Sequence, residues 1–544
     1  MKKILSFLIT ICFGMFFLET NAAGKVFYNI STSVGEDIAT QVNINYHTDV
    51  EGTFVEYTLA SDTSFSSATR VTGTYETFKA PVGANLVGFG ERFRVRVRIY
   101  NLTPDTKYMY RVGKEGNFSE SYYFSTAKEG AFSFLHITDP QYYSESTAAI
   151  FNNLMTQAFT INPDIAFTFF TGDIVDKGGD ESQWEMFYKQ SNLKRQMIAT
   201  VPGNHEYYDA HGSGSYFGDF YQVNYNNPDN GAHESKNTSY FFKYNDTLFV
   251  ALNTEEKSQA NQKAWFELVM KLNTDVKYVI VGMHRSMYGS IYASDSVTVR
   301  SNWLELFDKY GVDLVLSGHD HIYSRSFRLY NGVKSSDPAK GTTYIIGGSG
   351  GQKFYPITES PMYAKSIANT SCANIITISE NGISINLIDS SGKTIDTLTD
   401  ESGNPTTIKS KRIGNVDQNF NKEEFISQIT VEQSKVESSV GVITWPKSAY
   451  QNVINVQVNN YEFGYAIKGV FMYHENLNTF NFTGVTANKL NKFKVVVTYK
   501  DLSTSELVFE INTVIPPKPV YLRITEVLDL CKIKLDGSIK NIFE

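Results

Sequence analysis

Cysteine is scarce: three residues, Cys12, Cys372 and Cys531, in a chain of 544 cannot build a disulfide-dense scaffold. Charge is also sparse, with 19% charged against 42% hydrophobic residues, which excludes global disorder. The formal net charge is −8 and no basic stripe is present, which argues against nucleic acid as a stable partner. Proline is thin, at 14 residues, while Tyr and Phe reach 34 and 38, a balance that suits β-rich folds better than helical arrays. Beyond the N-terminus no apolar run is long enough to cross a bilayer, so no membrane span is expected after processing. At ~150 residues per domain, the length predicts three to four domains.

What is present begins with a targeting pattern. Lys2 and Lys3 precede the apolar run Ile4–Leu18, and Ala22 and Ala23 follow. Charged, apolar and small segments in that order predict a signal peptide over residues 1–23 and a secreted, periplasmic or cell-surface protein. Removal of that segment leaves Cys372 and Cys531, as one disulfide or as two buried thiols.

Residues 25–127 read as short alternating strands, among them Ala39–Tyr46 and Phe93–Ile99. The stretch from Leu102 to Gly113 resembles the end of a fibronectin type III module, so a β-sandwich is expected there. From 131 to 397 the texture changes to continuous apolar strands alternating with helix-length segments, which predicts a sheet covered on both faces in an α/β layered domain. Residues 398–424 are polar and read as a linker, and 425–544 as a β-rich C-terminal domain of unassigned role.

The chemistry lies where the middle domain's strands end. Phe132–Thr138 runs into Asp139-Pro140-Gln141, Ile165–Thr171 into Gly172-Asp173 and Asp176, and Met197–Val201 into Gly203-Asn204-His205-Glu206. Lys277–Met283 delivers His284, and Val312–Ser317 delivers Gly318-His319-Asp320-His321. The carboxyl ends of strands are where open α/β sheets bind ligands. A set of Asp, Gln, Asn and His donors suits two ions such as Fe, Mn or Zn better than a thiolate site does. Two such ions can hold phosphoryl oxygens through an in-line displacement.

On these motifs, the middle domain resembles a calcineurin-like metallophosphoesterase, and with the leading sandwich it resembles the purple acid phosphatases. Tyr323, Arg325 and the glycine-rich Ile346–Gly351 add to the likeness. The resemblance implies a central β-sandwich flanked by helices and hydrolysis of phosphate monoesters on small molecules by a metal-bound hydroxide. It implies Asp139, Gln141, Asp173 and His321 around a first metal, and Asp173, Asn204, His284 and His319 around a second. His205 would orient the phosphate and protonate the leaving oxygen. Purple enzymes carry Tyr three residues after the bridging Asp; here that position is Asp176, so no purple colour is expected, and Asp176 would instead orient His205. Gln141 stands where His is commoner, and the segment Arg285–Ser296 lacks the extra His residues of plant-type enzymes.

Other features are expected to be ordinary. His47 and His474 read as surface residues, His136 as a core-edge residue, and His211 and His233 as loop residues. Arg285 reads equally as a phosphate contact or a salt-bridge partner. Gly347–Gly351 fits the Gly-x-Ser-x-Gly pattern of a hydrolase elbow, but that elbow must open a helix, which Gln352–Met362 does not favour. The competing functions are a phosphodiesterase acting on nucleotides or lipid head groups, and a surface-binding protein that has lost catalysis.

Overall fold

In the computed structural model, the described residues are 26–79, 91–208 and 218–513, less 236, 274, 338–339, 413–416, 418, 448–450, 463, 465, 472–477 and 502. They fall into two compact units, one drawn from the chain up to Val269 and from Val276–Lys411, the other from Met270–Asp275 and from Arg412 onward. The predicted signal segment, His211, His474 and Cys531 lie outside the described residues.

The first unit is built on two large sheets. One has ten strands in the order Thr394–Thr397, Gly382–Asp389, Cys372–Ser379, Phe132–Ile137, Ile165–Thr171, Met197–Val201, Phe27–Val34, Val42–Thr48, Glu91–Ile99 and Thr74–Lys79. The other has seven: Tyr240–Tyr244, Thr247–Ala251, Tyr278–Gly282, Leu314–Ser317, Thr343–Gly347, Tyr323–Ser326 and Tyr363–Ile367. Their facing side chains form a common core of Phe134, Phe167, Phe169, Phe242, Phe249, Ile280, Leu314 and Leu316. Phe134 stacks on Phe167 at 5.2 Å and Phe242 on Phe249 at 4.8 Å, while Phe249 meets both Phe134 and Phe167 edge-on. These offset and edge-to-face pairings are the ones the aromatic quadrupole favours.

Alternation along Phe132–Ile137 sends Leu135 and Ile137 to the opposite face, where they pack with Phe151, Leu154 and Met155 of the helix Glu145–Ile161 and with Trp184 and Phe187 of Glu181–Tyr188. Ser144 caps the first helix and forms a reciprocal capping box with Thr147. Beyond the seven-stranded sheet, Trp303 and Phe307 of Ala293–Tyr310 pack on Phe266, and the helix ends at Gly311 in the left-handed conformation.

The leading strands do not form an isolated bead. Phe54–Leu59 and Lys107–Lys114 belong to a separate small sheet, but Phe27–Val34 pairs in parallel with Met197–Val201, so the leading domain and the central domain share the ten-stranded sheet. Arg92, buried in Glu91–Ile99, pairs with the fully buried Glu181. Arg94 donates to Asn45 at 3.1 Å and to the backbone carbonyl of Tyr225. His47, expected on the surface, is fully buried within this seam. A ring nitrogen lies 2.7 Å from the Val223 carbonyl, and Phe78 packs at 4.5 Å. The strand alternates as expected, but both of its faces are covered.

Residues 398–424, expected as a linker, include ordered chain. Leu398 is buried in the core of the first unit and Ile408 bridges to Ile383. The second unit is a sandwich of a three-stranded sheet, Thr430–Gln433, Gly441–Thr444 and Thr479–Phe482, and a four-stranded one, Ala466–Phe471, Val453–Asn460, Leu490–Tyr499 and Thr504–Asn512. Its core holds Ile443, Trp445, Val456, Phe482, Val495 and Val497.

Burial pushes the His47 imidazole down to about 3, with Arg92 and Arg94 adding to the effect. The unfolded value near 6.5 is higher, so the unfolded chain binds the proton first and stability falls as pH drops from about 6.5 toward 3. The linkage amounts to about 2 kcal/mol at pH 5. Urea unfolding at pH 7 and pH 5 should therefore show the stability gap between wild type and His47→Gln narrowing by about that amount; a constant gap would contradict a neutral, buried His47.

Candidate metal centre

The sequence-predicted residues converge at one edge of the sandwich, from both sheets. Parallel pairing continues past the strand ends: Asp139 N–H donates to Gly172 O at 3.1 Å, and Gln141 N–H to Asp173 O at 2.9 Å. On the other sheet Met283 N–H donates to Leu316 O at 3.0 Å and Gly318 N–H to His284 O at 2.8 Å. Strand register thus sets the depth of each loop. Asp139, Gln141, Asp173, His319 and His321 all take positive φ, between 40° and 75°. Such backbone is uncommon for non-glycine residues and concentrates at functional sites.

Gly172, at φ +92°, lies where a Cβ would come within 2.5 Å of His284 Nδ1. Gly351 presses on the Asp139-Pro140-Gln141 loop, where a Cβ would sit 2.1 Å from the Pro140 carbonyl oxygen. The glycine-rich loop is therefore a buttress. Ser349 is fully buried, its hydroxyl 3.3 Å from Asp139 O, and the chain after it forms no helix before the strand Tyr363–Ile367, so the hydrolase-elbow pattern carries no nucleophile. Tyr323 and Arg325 are likewise occupied, both bonded to Asp396.

Two groups of side chains have the spacing to hold cations: Asp173 with His284 and His319, and Asp139 with Asp173 and His321. Asp173 belongs to both. His284 Nε2 lies 3.4 Å from Asp173 Oδ1 and 3.2 Å from Asn204 Oδ1; His321 Nε2 lies 3.4 Å from Asp139 Oδ1. Asp139 Oδ1 and Gln141 Oε1 are buried without a hydrogen-bond partner. Buried acceptors of this kind carry a desolvation cost that a cation would offset.

The electrostatics point the same way. Burial, reinforced by Asp173, raises Asp139 to about 7, and the same two causes raise Glu206 to about 8. Burial opposes ionisation of Asp173 too, but His284 and His205 outweigh it and its pKa falls well below normal. For His284, burial is overridden by Asp173, which lifts it to about 10. Burial lowers His319 to about 2 and His321 to about 3, leaving neutral imidazoles. Crowded buried acids with the neutral imidazoles of His319 and His321, and no thiolate, fit borderline or hard divalent and trivalent cations.

His205, Asp176 and Gln141 form a linked trio with a different arrangement from that expected. His205 Nδ1 lies 2.7 Å from the Asp176 backbone carbonyl, whereas the Asp176 carboxylate is 3.6 Å away. The carbonyl, not the carboxylate, orients the ring. The Asp176 carboxylate instead accepts from Gln141 Nε2 at 3.2 Å, and that amide nitrogen also lies 2.9 and 2.6 Å from the His205 ring nitrogens. Gln141 thus presents its nitrogen to His205 and retains a free carbonyl oxygen.

Sequence reasoning gave no role to Glu206, although it was visible in Gly203-Asn204-His205-Glu206. Fully buried, it accepts the N–H groups of Gly203 at 2.6 Å, Asp173 at 2.8 Å and Ile174 at 2.8 Å. It fixes two of the strand-end loops at once. Tyr208, which accepts from Asn204 at 3.1 Å and packs on the His205 ring at 4.5 Å, was also overlooked. Arg285 is a salt-bridge partner, held by both oxygens of Glu255 at 2.8 and 2.7 Å. His136 is fully buried, 2.9 Å from the Thr171 hydroxyl, and His233 is exposed. Cys372 is a buried free thiol.

Comparison with known proteins follows the same outline. Residues 132–323 match the family model described as calcineurin-like phosphoesterase, and residues 28–126 that of the purple acid phosphatase N-terminal domain. The chain is 26% identical over 278 residues to a phosphoenolpyruvate phosphatase of Allium cepa, covering 46% of this chain and 56% of that one. It is 24% identical over 307 residues to an uncharacterized protein of Mycobacterium tuberculosis, with the same coverage of 46% and 56%. The chain thus spans about half the length of these curated relatives. A purple acid phosphatase from yellow lupin (Lupinus luteus) seeds shares the fold, with a TM-score of 0.56 at 18% identity over 69% of this chain and 74% of that one.

Replacing Glu206 by Ala leaves at least three buried N–H groups without their acceptor, each worth about 1–3 kcal/mol. The Glu206→Ala protein should melt at a markedly lower temperature and retain less metal on elemental analysis. Unchanged melting and metal content would remove Glu206 from this role.

Proposed function

We propose, from the premise that this chain belongs to the calcineurin-like phosphoesterases and carries the N-terminal domain of the purple acid phosphatases, that it is an exported phosphomonoesterase working with two metal ions. The observation that carries the proposal is the pair of His and carboxylate groups sharing Asp173. Bound there, the ions would supply Lewis acidity toward the phosphoryl oxygens and a lowered pKa for attacking water.

The protein's own residues have separate tasks. Asp139 and His321 would hold one ion, Asn204, His284 and His319 the other, and Asp173 would contribute to both. Gln141, with its unpartnered oxygen, completes the first set as an uncharged donor. His205, on the rim, is the acid. With Nδ1–H given to the Asp176 carbonyl, its free nitrogen is Nε2, where it takes up a proton and passes it to the leaving oxygen. Gln141 Nε2 now occupies that nitrogen, so the amide must yield when substrate enters. Asp176, in place of a metal-binding Tyr, supports a colourless centre of Fe, Mn or Zn. Export rests on the Lys2–Ala23 pattern, and no helix among the described residues is long and apolar enough to cross a membrane.

Purified without chelator, the protein should contain about two transition-metal ions and hydrolyse p-nitrophenyl phosphate faster than its bis-ester. A faster bis-ester would make it a phosphodiesterase. Metal-free protein that stays inert after Mn, Fe and Zn are returned would favour a non-catalytic binding role.

The His205→Ala variant should lose about 10²–10⁴-fold in turnover and keep both ions; loss of metal would mean His205 is a ligand. Gln141→His should hold the first ion as tightly or more tightly with activity retained, and a complete loss of activity would assign the amide a specific catalytic part.

A further inference from the structure

Each of the three histidines in the cation-holding groups is pinned through one ring nitrogen, and the pins are not alike. His284 Nδ1 lies 2.9 Å from the Thr171 carbonyl and His321 Nδ1 lies 3.0 Å from the Lys353 carbonyl. Both rings therefore carry hydrogen on Nδ1 and turn Nε2 toward Asp173 and Asp139. His319 is held the other way round. Its Nε2 lies 3.2 Å from Oδ2 of Asp295, in the first turn of the helix Ala293–Tyr310. A carboxylate only accepts, so Nε2 bears the hydrogen. Arg285 Nη1 also lies 3.4 Å from that nitrogen, but it is bonded to the same Asp295 oxygen, and Glu255 grips the rest of the guanidinium.

We propose that Asp295, steadied by Arg285 and Glu255, is a positioning residue that fixes the tautomer of His319 and leaves Nδ1 as its metal-binding atom. The proposal rests on the two-metal reading above. It makes His319 the member of the three held by a replaceable side chain, so affinity for the second ion depends on Asp295 while the first does not. Tyr292, packed on the His319 ring at 4.2 Å, restricts its tilt, and Asp320 accepts the N–H groups of Ser290 and Ile291, keeping the segment that leads into the helix in place. Of these residues only Asp320 belongs to a strand-end motif. Arg285, Tyr292 and Asp295 lie in the stretch after His284 where, by the resemblance, plant-type enzymes carry extra histidines.

The test uses full-length protein stripped with chelator and titrated with Mn(II) alone, followed by calorimetry and elemental analysis. Wild type should take up two equivalents. Asp295→Ala and the near-isosteric Asp295→Asn should bind one as before and the other about 10–100-fold more weakly, and Asp295→Glu should recover part of the loss. Nitrogen-15 spectra of histidine-labelled, cation-free protein should show His319 protonated on Nε2 in wild type and a tautomer mixture in Asp295→Ala. Two unweakened ions in both the Ala and Asn variants, or a wild-type His319 protonated on Nδ1, would overturn the proposal. Wild type that binds no Mn(II) but shows the tautomer change would sink the two-metal reading while upholding the hold of Asp295 on His319.

Discussion

Two sheets must meet with their strand ends level, and the aromatic core between them enforces this. Asp139, Asp173 and Asn204 come from the ten-stranded sheet; His284, His319 and His321 come from the seven-stranded one. Neither sheet alone assembles either of the two groups that could hold a cation. The Phe134, Phe167, Phe242 and Phe249 cluster sets the separation, and interiors packed to crystal density tolerate little sliding. Above that core, His319 N–H donates to Asp139 and the His284 ring meets the Thr171 carbonyl, so the sheets are also bonded to one another through the site itself.

That arrangement concentrates Asp139, Asp173 and Glu206 in a space from which water is largely excluded. Buried acids are costly unless paired, and the protein distributes the cost unevenly. Asp173 is kept ionised by His284 and His205, while Asp139 and Glu206 are pushed toward the protonated form. Glu206 is tolerable because three backbone N–H groups converge on it, and in return it stiffens the turn that presents Asp173. The positive-φ backbone at five of the site residues is the mechanical side of the same bargain: conformations disfavoured locally persist because the flanking strands leave no alternative.

The leading domain takes part in this rigidity. Its strand Phe27–Val34 extends the ten-stranded sheet beside Met197–Val201, the strand that delivers Asn204 and His205. The buried Arg92–Glu181 pair and the His47 contact reinforce the seam. A domain that reads from sequence as a separate β-sandwich is, physically, a supporting edge for a site strand.

By itself the sequence determined most of the strands and the candidate ligands. Period-two and continuous apolar runs marked the strands, and the residues ending them marked the candidate ligands, because strand and motif are both local. It also put Asp176 where the resemblance to purple enzymes implies a tyrosine. Long-range contacts were not legible. His47 looked like a surface residue because alternation reports one covered face, and only the seam with Val223 covers the other. The Asp176 carboxylate looked like the partner of His205, and the fold supplies its backbone carbonyl instead. Glu206 had no recognisable role until three N–H groups from two loops were seen to converge on it. Arg285 was equally a phosphate or a carboxylate contact until Glu255 and Asp295 were brought beside it. In each case the deciding partner is remote in the chain or is a backbone atom, and neither residue type nor spacing encodes where tertiary packing puts it.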